Sequence, residues 1–400
     1  MAEYLAGAGH YVAVVCHDGK NENAFIENNH VNIYSLRNDD SFIREAGGRL
    51  GKITKYKNVF SLLFYLYYLN SERKQKKNLR KKIDDSLKET FMLNLVNVSF
   101  DVVISSIYNI DAYYIAKTLR KQLEIPKHIC DVRDPIVNPF FGSKPQAMIG
   151  RYRLKDIYNN VDAFTACYDY ILNEIKENIS FNKKNMYVLT HAYKEYVSNV
   201  CEKGECLKIS SIGTYYPTNH NPLPLVEALY EMDNNKNVSP NSLQIILAGR
   251  NSDLLAKAFS DKGLSSYITD YGFVSHEDAV ELEKESDVLL FLSFIEEVSS
   301  FAGVTGKFPE YLAMNKEILM VFDVRNDSGE QIDYFNKLSV GLAVDSRSDE
   351  SKKQIIQWLQ KKISEKQSDG LLHTPNMDLV EEYSVETVGA KLEEILDTVL

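Results

Sequence analysis

Strand-length apolar runs alternate with amphipathic helical stretches from one end of the chain to the other, and this alternation restricts the fold more than any other feature. The runs "DVVIS" at 101–105 and "LQIILAG" at 243–249 are typical, because each is followed by a stretch with helical spacing. Strands that are apolar throughout are buried on both faces, as in parallel sheets covered by helices. The other strand candidates are 11–16, 31–35, 127–132, 162–166, 185–189, 207–213, 267–272, 287–293, 317–323 and 340–345. The sequence therefore predicts an α/β protein with doubly wound, Rossmann-like sheets.

The chain length divides this pattern between two domains. A chain of 400 residues exceeds the size at which one hydrophobic core serves the whole molecule. The apolar runs form two groups joined near 192–205, so we predict an N-terminal domain over 1–195 and a C-terminal domain over 206–375. A doubly wound domain begins with a strand and a loop, whereas "AEYLAGAGHYVAVVC" (2–16) resembles the end of a first helix followed by a second strand. We therefore expect the first strand of the N-terminal domain to be missing.

Charge, cysteine usage and the absence of familiar motifs exclude several classes of protein. A formal net charge of −10 disfavours a general nucleic-acid binder, which needs a basic surface. The five cysteines are odd in number and scattered, as expected in a reducing cytoplasm, and Cys201 and Cys206 have no second Cys or His pair at zinc spacing. No signal peptide, membrane-spanning stretch, HExxH, GxxxxGK[ST] or GxSxG occurs. We expect a folded cytoplasmic protein.

Small and polar residues follow several strands in the second half. The segments "SIGTYYP" (211–217), "LAGRNSD" (247–253) and "YGFVSHED" (271–278) each end a strand and open a helix, and "GVTGK" (303–307) opens another helix. Doubly wound sheets bind ligands at the carboxyl ends of their strands, beside helix N-termini that suit phosphate groups. The alternative is that these glycines only terminate strands and helices.

One segment is strongly basic in an otherwise acidic protein. The stretch "ERKQKKNLRKK" (72–82) follows the aromatic-rich "FSLLFYLYYL" (60–69). Such a helix can bind an anionic membrane surface, which would make the protein peripheral at the inner face of the membrane. A solvated helix face explains the same residues, and both interpretations stay open.

Taken together, these segments resemble the GT-B glycosyltransferases, and within them glycosyltransferase family 4, the retaining enzymes that use a nucleotide-sugar donor. The resemblance covers nearly the whole chain, and its most specific parts are "GFVSHEDAVELEKESDVLLFLS" (272–293) and "GVTGKFPEYLAMNKEILMV" (303–321). It implies two Rossmann-like domains that face a cleft, with the donor in the second domain and the acceptor in the first. It also implies that a terminal helix over 383–400 packs back on the first domain.

The resemblance assigns the donor site to the second domain. The Gly-rich loop and the start of the following helix are expected to bind the diphosphate and the sugar through Gly303, Val304, Thr305, Gly306 and Lys307. Glu310 is expected to bind the ribose hydroxyls. Gly213 and Thr214 belong to the loop after the strand at 207–213, and Arg250 is the nearest cation for the phosphates. Ala302 replaces the first glutamate of the family motif, and Glu296 or Glu297 is a candidate substitute. Alternatively, Lys307 and Glu310 form an ordinary i, i+3 ion pair.

In the first domain the resemblance points to "CDVRDPI" (130–136). Asp134 is expected to accept the proton of the acceptor hydroxyl or to orient the sugar, and Arg133 to stabilise negative charge. The structural alternative is a routine Asp-Pro turn together with an Arg133–Asp131 ion pair.

The resemblance implies a glycosyltransferase of cell-surface polysaccharide assembly. Its partners would be a UDP- or GDP-sugar donor, a glycan or lipid-linked acceptor and no nucleic acid, and it would need no cofactor and no metal. A nucleotide-sugar 2-epimerase of the same fold and a non-catalytic nucleotide-sugar-binding partner subunit are the alternatives.

Overall fold

The structure is a computed structural model, and the chain separates into two compact units. Unit 1 consists of Met1–Thr190 and Gly389–Leu400, and unit 2 consists of His191–Val388. The residues that the structure describes are 1–16, 24–28, 30–36, 60–89, 92–108, 110–137, 144–179, 184–194, 203–295, 306–324, 330–371 and 373–400. Cys201 lies outside these residues, so the structure describes only Cys206 of the Cys201–Cys206 pair.

Unit 1 contains two sheets. One is three-stranded, in the order β1-β3-β2, and is formed by β1 (Val12–Cys16), β2 (Ala24–Asn28) and β3 (Val31–Ser35). The other is parallel throughout and runs in chain order through β4 (Val102–Ile107), β5 (Lys127–Val132), β6 (Ala163–Ala166) and β7 (Asn185–Val188). The helices described in this part are α1 (Ala2–Gly7), α2 (Phe60–Ser86), α3 (Leu93–Val96), α4 (Ile110–Gln122), α5 (Lys144–Asn160) and α6 (Asp169–Asn178).

Strand β2 corrects the prediction of purely parallel sheets. It pairs antiparallel with β3, whereas β1 pairs parallel with β3. The sequence analysis did not identify β2 because "AFIEN" mixes apolar and polar residues, so it lacks the continuous apolar run of a strand buried on both faces.

Unit 2 contains a six-stranded parallel sheet in the order β10-β9-β8-β11-β12-β13. Its strands are β8 (Leu207–Ile212), β9 (Leu243–Ala248), β10 (Ile268–Asp270), β11 (Val288–Ile295), β12 (Glu317–Val324) and β13 (Gly341–Asp345). Its helices include α7 (Leu223–Asn234), α8 (Ser252–Ser260), α9 (His276–Glu285), α10 (Lys307–Ala313), α11 (Glu330–Lys337), α12 (Ser351–Ser368) and α13 (Met377–Val380), and α14 (Val385–Val399) begins in this unit. The strand order reverses between β8 and β11, which is the topological switch point of a Rossmann-like sheet. The predicted α/β class with two Rossmann-like units is confirmed.

Each unit has its own hydrophobic core. Buried leucine, isoleucine and valine side chains of β8, β9 and β11 pack with α7, α8 and α12 in unit 2, and Trp358 of α12 lies partly buried against them. In unit 1, Tyr34, Tyr113 and Phe164 are among the buried side chains that join the strands to the helices. Within the described residues, no helix is both long enough and apolar enough to cross a membrane.

The end of the chain belongs to unit 1. Tyr4 donates a hydrogen bond from its hydroxyl group to Glu393 Oε2 at 3.1 Å, and His10 Nε2 lies 3.2 Å from Glu393 Oε1. A Cβ atom at Gly389 would lie 2.5 Å from the ring of Tyr4, so α14 can approach α1 this closely only with glycine at that position. The first and last helices of the chain therefore pack together within unit 1.

Candidate functional site

Three neighbouring strands of unit 2 are followed by glycines, and hydrogen bonds connect the ends of these strands. Gly213, Gly249 and Gly272 follow β8, β9 and β10 and have φ values of 136°, 121° and 64°. The amide of Gly213 donates to Ala248 O at 2.8 Å, and the amide of Gly249 donates to Gly272 O at 2.6 Å. A Cβ atom at Gly249 would lie 2.0 Å from Gly213 O, so the close approach of the two strand ends requires glycine. The ends of β8, β9 and β10 therefore lie close together at this edge of the sheet.

Arg250 and Thr214 lie at this edge. The amide of Tyr215 donates to Arg250 O at 3.0 Å, and Asn251 Nδ2 donates to Tyr215 O at 3.0 Å, so the loops after β8 and β9 are tied together. The Arg250 side chain is exposed, and among the described residues it has no hydrogen-bond or ion-pair partner. The Thr214 hydroxyl is likewise unpaired within that part of the chain. Both side chains are thus available to a ligand at the carboxyl ends of β8 and β9.

His220, in the same loop as Thr214, carries no charge at neutral pH. Its Nδ1 accepts a hydrogen bond from the Tyr216 amide at 3.3 Å, and its ring lies against Tyr215 and Tyr216. Burial lowers the pKa of His220 to about 4, because desolvation disfavours the imidazolium form. A phosphate at this edge would therefore obtain positive charge from Arg250 rather than from His220.

The start of α10 carries Lys307 and Glu310 but surrounds the lysine with carboxylates. Lys307 Nζ lies 2.6 Å from Glu283 Oε1 and 3.2 Å from Glu310 Oε2. Glu283 is only 1% exposed, and its desolvation raises its pKa although the nearby ammonium of Lys307 opposes that shift. The ion pair between Lys307 and Glu310 considered from the sequence is therefore present, and Lys307 also pairs with a second, buried carboxylate, that of Glu283.

Glu283 was missed by the sequence analysis. It comes four residues after Ala279 on α9, so it lies where the helical pattern of "HEDAVELEKE" calls for an apolar residue, and that misplaced charge was the available signal. Gly306, at the helix start, lies next to the His191 ring. Gly303, Val304 and Thr305 of the Gly-rich loop, as well as Glu296, Glu297 and Ala302, lie outside the described residues, so their donor-binding roles stay predictions.

In unit 1, Arg133 is fixed by a buried carboxylate at the end of β5. Arg133 Nε donates to Asp131 Oδ2 at 2.6 Å, and Arg133 Nη1 donates to Leu189 O at 3.3 Å. Asp131 is 4% exposed and also accepts hydrogen bonds from Ser106 at 2.8 Å and from Thr165 at 2.8 Å. The Arg133–Asp131 ion pair, which the sequence offered as the structural alternative, is therefore present and joins the ends of three strands.

Asp134 differs from Arg133 because its carboxylate has no partner among the described residues. The side chain contacts solvent, yet neighbouring protein desolvates it enough to raise its pKa above the usual range. Glu174 Oε2 accepts the amides of Ile136 at 2.9 Å and Val137 at 3.2 Å, which holds the following turn in place. The chain thus presents a free carboxylate on a supported turn. No group of three or more His, Cys, Asp or Glu side chains suited to a metal ion occurs in the described ranges.

Known proteins of similar structure share this architecture. No protein-family model matches the sequence, and no curated protein matches it. Sucrose-phosphate synthase from Thermosynechococcus elongatus is similar in structure, with a TM-score of 0.61 and 13% sequence identity over 100% of this chain and 91% of that chain. HepE from Anabaena in complex with UDP has a TM-score of 0.51 and 13% identity over 78% of this chain and 84% of that chain. TarM has a TM-score of 0.53 and 12% identity over 80% of this chain and 57% of that chain.

At these identities the similarity establishes the fold. The parallel strand order of unit 2 and the Rossmann-like second sheet of unit 1 agree with it. The chain has the GT-B fold, as the resemblance of its sequence implied.

Proposed function

We propose that this protein is a retaining, metal-independent glycosyltransferase that moves a sugar from a UDP- or GDP-sugar to a glycan or lipid-linked acceptor in cell-surface polysaccharide biosynthesis. The observation that carries the proposal is Arg250, an exposed and unpaired cation that follows β9 beside the glycine-bounded end of β8. A diphosphate is bound well by a guanidinium group, which can donate two parallel hydrogen bonds to phosphate oxygens. The similarity of fold to HepE, which was solved with UDP, supports the same choice of ligand.

The proposed reaction divides between the two units. The bond from the anomeric carbon to the diphosphate oxygen breaks, and a bond from that carbon to the acceptor hydroxyl oxygen forms. Arg250 balances the charge on the departing diphosphate, and Asp134 accepts the hydroxyl proton or orients the acceptor sugar. Arg133, held in place by Asp131 and Leu189 O, keeps guanidinium protons that it can donate to the acceptor sugar. Because protein groups supply the positive charge, we expect transfer to persist in EDTA.

The donor side is tested by nucleotide affinity. Arg250→Ala should weaken the binding of UDP or GDP by about 1.5–3 kcal/mol, or roughly 10- to 150-fold, because one charge-assisted contact is lost. Lys361→Ala is the matched control, since Lys361 is an exposed cation on α12 that is paired with Glu365 at 3.6 Å. Titration calorimetry with both nucleotides measures the effect. Equal affinity in the wild type and Arg250→Ala, or no binding of either nucleotide by the wild type, would refute the donor assignment.

A non-catalytic nucleotide-sugar-binding subunit is the second candidate function, and the contacts of Lys307 support it. That lysine is already paired with Glu283 and Glu310, so it is less available to the leaving diphosphate than an unpaired lysine would be. Incubation with radiolabelled UDP-glucose and other nucleotide sugars separates the candidates. Release of free sugar indicates a transferase, an isomeric nucleotide sugar indicates a 2-epimerase, and binding without either product indicates a partner subunit.

An anionic membrane surface is the proposed further partner, bound through the basic segment 72–82. Arg73, Lys77 and Arg80 of α2 are exposed and follow one another at intervals of three or four residues, which gives them a common helix face. Flotation with liposomes that contain anionic lipid is expected to retain the wild type and to lose Lys77→Glu/Arg80→Glu. Lys353→Glu/Lys361→Glu in unit 2 is the charge-matched control. Failure of the wild type to bind at low salt removes this partner.

A further inference from the structure

Tyr108 is an aromatic side chain that is almost fully exposed to solvent. It comes directly after the last residue of β4 and is 85% exposed, and among the large hydrophobic residues described only Phe273, at 82%, is similarly exposed. A tyrosine ring offers a broad apolar face together with a polar edge, so it is well suited to contact a ligand. Its position at the carboxyl end of a parallel strand is where sheets of this type bind ligands.

Sheet register places Tyr108 next to Arg133. Ile107 pairs with Val132 across β4 and β5, and the Arg133 amide donates to Ile107 O at 3.3 Å. Tyr108 and Arg133 are therefore neighbouring residues at the ends of the adjacent strands β4 and β5. Side chains of a strand alternate between its two faces, so continuing β4 from Ser106 puts Tyr108 on the side where Ser106 contacts Asp131.

Arg133, beside Tyr108, and Asp134, the next residue in sequence, suit a neutral, hydroxylated ligand. Arg133 uses Nε and one Nη1 proton in contacts with Asp131 and Leu189 O, which leaves other guanidinium protons to donate. The carboxylate of Asp134 is unpaired among the described residues and can accept from hydroxyl groups. Two carboxylates and one guanidinium have a net negative charge, so a phosphate or another anion is disfavoured here.

We propose that Tyr108, Arg133 and Asp134 together form a subsite for one pyranose ring of the acceptor, with the tyrosine ring against the apolar face of the sugar. The acceptor role rests on the proposed glycosyltransferase function, whereas the binding of a sugar ring at this position can be measured without it. The carboxylate and the guanidinium bind the ring hydroxyls. Asp131 is a positioning residue, since it holds Arg133 at the strand end.

The probes are methyl β-D-glucopyranoside, methyl β-D-galactopyranoside and methyl N-acetyl-β-D-glucosaminide, titrated by saturation-transfer NMR. At least one should bind the wild type, and Tyr108→Ala should weaken that binding by about three- to tenfold, because an aromatic contact is lost. Tyr108→Phe keeps the ring and should bind as the wild type does. Tyr230→Ala removes another exposed tyrosine, on α7 in unit 2, and should also bind normally.

Two results overturn the proposal: no binding of any of the three glycosides by the wild type, or equal affinity in Tyr108→Ala and the wild type. Because Tyr108 is so exposed, its substitution should leave the thermal unfolding temperature unchanged, which excludes misfolding as the cause of a loss. Nucleotide affinity measured on the same samples keeps the two proposals distinguishable. Loss of glycoside binding with UDP binding intact would remove only the subsite, and the reverse result would remove only the donor assignment.

Discussion

Substitution of Gly249 tests the close contact between the ends of β8 and β9. Gly249 has φ 121° and an added Cβ atom would lie 2.0 Å from Gly213 O, so alanine would be both strained and overlapping. Backbone strain of this kind costs about 1–3 kcal/mol, and forced overlap in a packed site costs roughly another 1–3 kcal/mol. We expect Gly249→Ala to lower the free energy of unfolding of unit 2 by about 2–6 kcal/mol.

Gly263→Ala separates the two contributions. Gly263 also has positive φ, 79°, but a Cβ atom there would meet no atom within 4 Å. Its alanine variant should therefore show the strain alone, a loss of about 1–2 kcal/mol. Gly249→Ala should lose more than Gly263→Ala, because its Cβ atom also overlaps Gly213 O.

Urea unfolding followed by tryptophan fluorescence is the appropriate assay. The protein has one tryptophan, Trp358, which packs against the core of unit 2, so its emission reports on that unit. A shift of the midpoint at constant slope gives the change in stability. If the two variants differ by less than about 0.5 kcal/mol, within the usual spread of surface substitutions, the close approach of the strand ends is wrong. Gly249→Ala should also weaken nucleotide binding, because Arg250 follows directly.

Three further predictions concern buried charges and a buried histidine. Lys307→Ala should destabilise unit 2 by about 3 kcal/mol, because it leaves the buried Glu283 carboxylate unpaired. Adding Glu283→Gln should restore most of this loss of stability in the same fluorescence assay. An undiminished loss in the double variant contradicts the pairing. His220 has a folded-state pKa of about 4, below its ordinary value of 6.5, so between these pH values only the unfolded chain gains a proton. The free energy of unfolding should therefore fall as the pH drops from 6.5 to 4, by at most about 1.4 kcal/mol per pH unit. His220→Gln should show a flatter pH dependence of stability, and an identical slope refutes the assignment. Glu174→Leu should speed amide hydrogen exchange at residues 136 and 137. Glu174→Gln keeps an acceptor oxygen and should largely preserve the protection of these two amides from exchange. Equal protection in both variants would show that the carboxylate does not hold the turn.

The strands of unit 2 were predictable because they carry their own signal. The run predicted at 243–249 is β9 at Leu243–Ala248, and the run predicted at 317–323 is β12 at Glu317–Val324. A strand buried on both faces must be apolar throughout, so its length can be read directly from composition. The antiparallel β2 is the counterexample, since its mixed residues resemble those of a loop.

The site residues that could be predicted are those that the local sequence marks. Gly213 and Arg250 are predicted as site residues because each lies at the end of an apolar run. The contacts around Asp131 join β4, β5 and β6, and those around Lys307 join α9 to α10, so they depend on sheet register and helix packing. Long-range contacts of this kind leave no local pattern in the sequence. The pairing of Lys307 with Glu283 therefore could not be recognised from the sequence, whereas its i, i+3 pairing with Glu310 could.

Unit 1 is discontinuous, because Gly389–Leu400 returns to it after the whole of unit 2. During translation, the ribosome releases every residue of unit 2 before it releases the segment that contacts Tyr4 and His10. Unit 2 can thus mature while still attached, whereas unit 1 must await the synthesis of Gly389–Leu400. A nonsense mutation within 389–400 would consequently act on α1 rather than on the unit that precedes this segment in sequence.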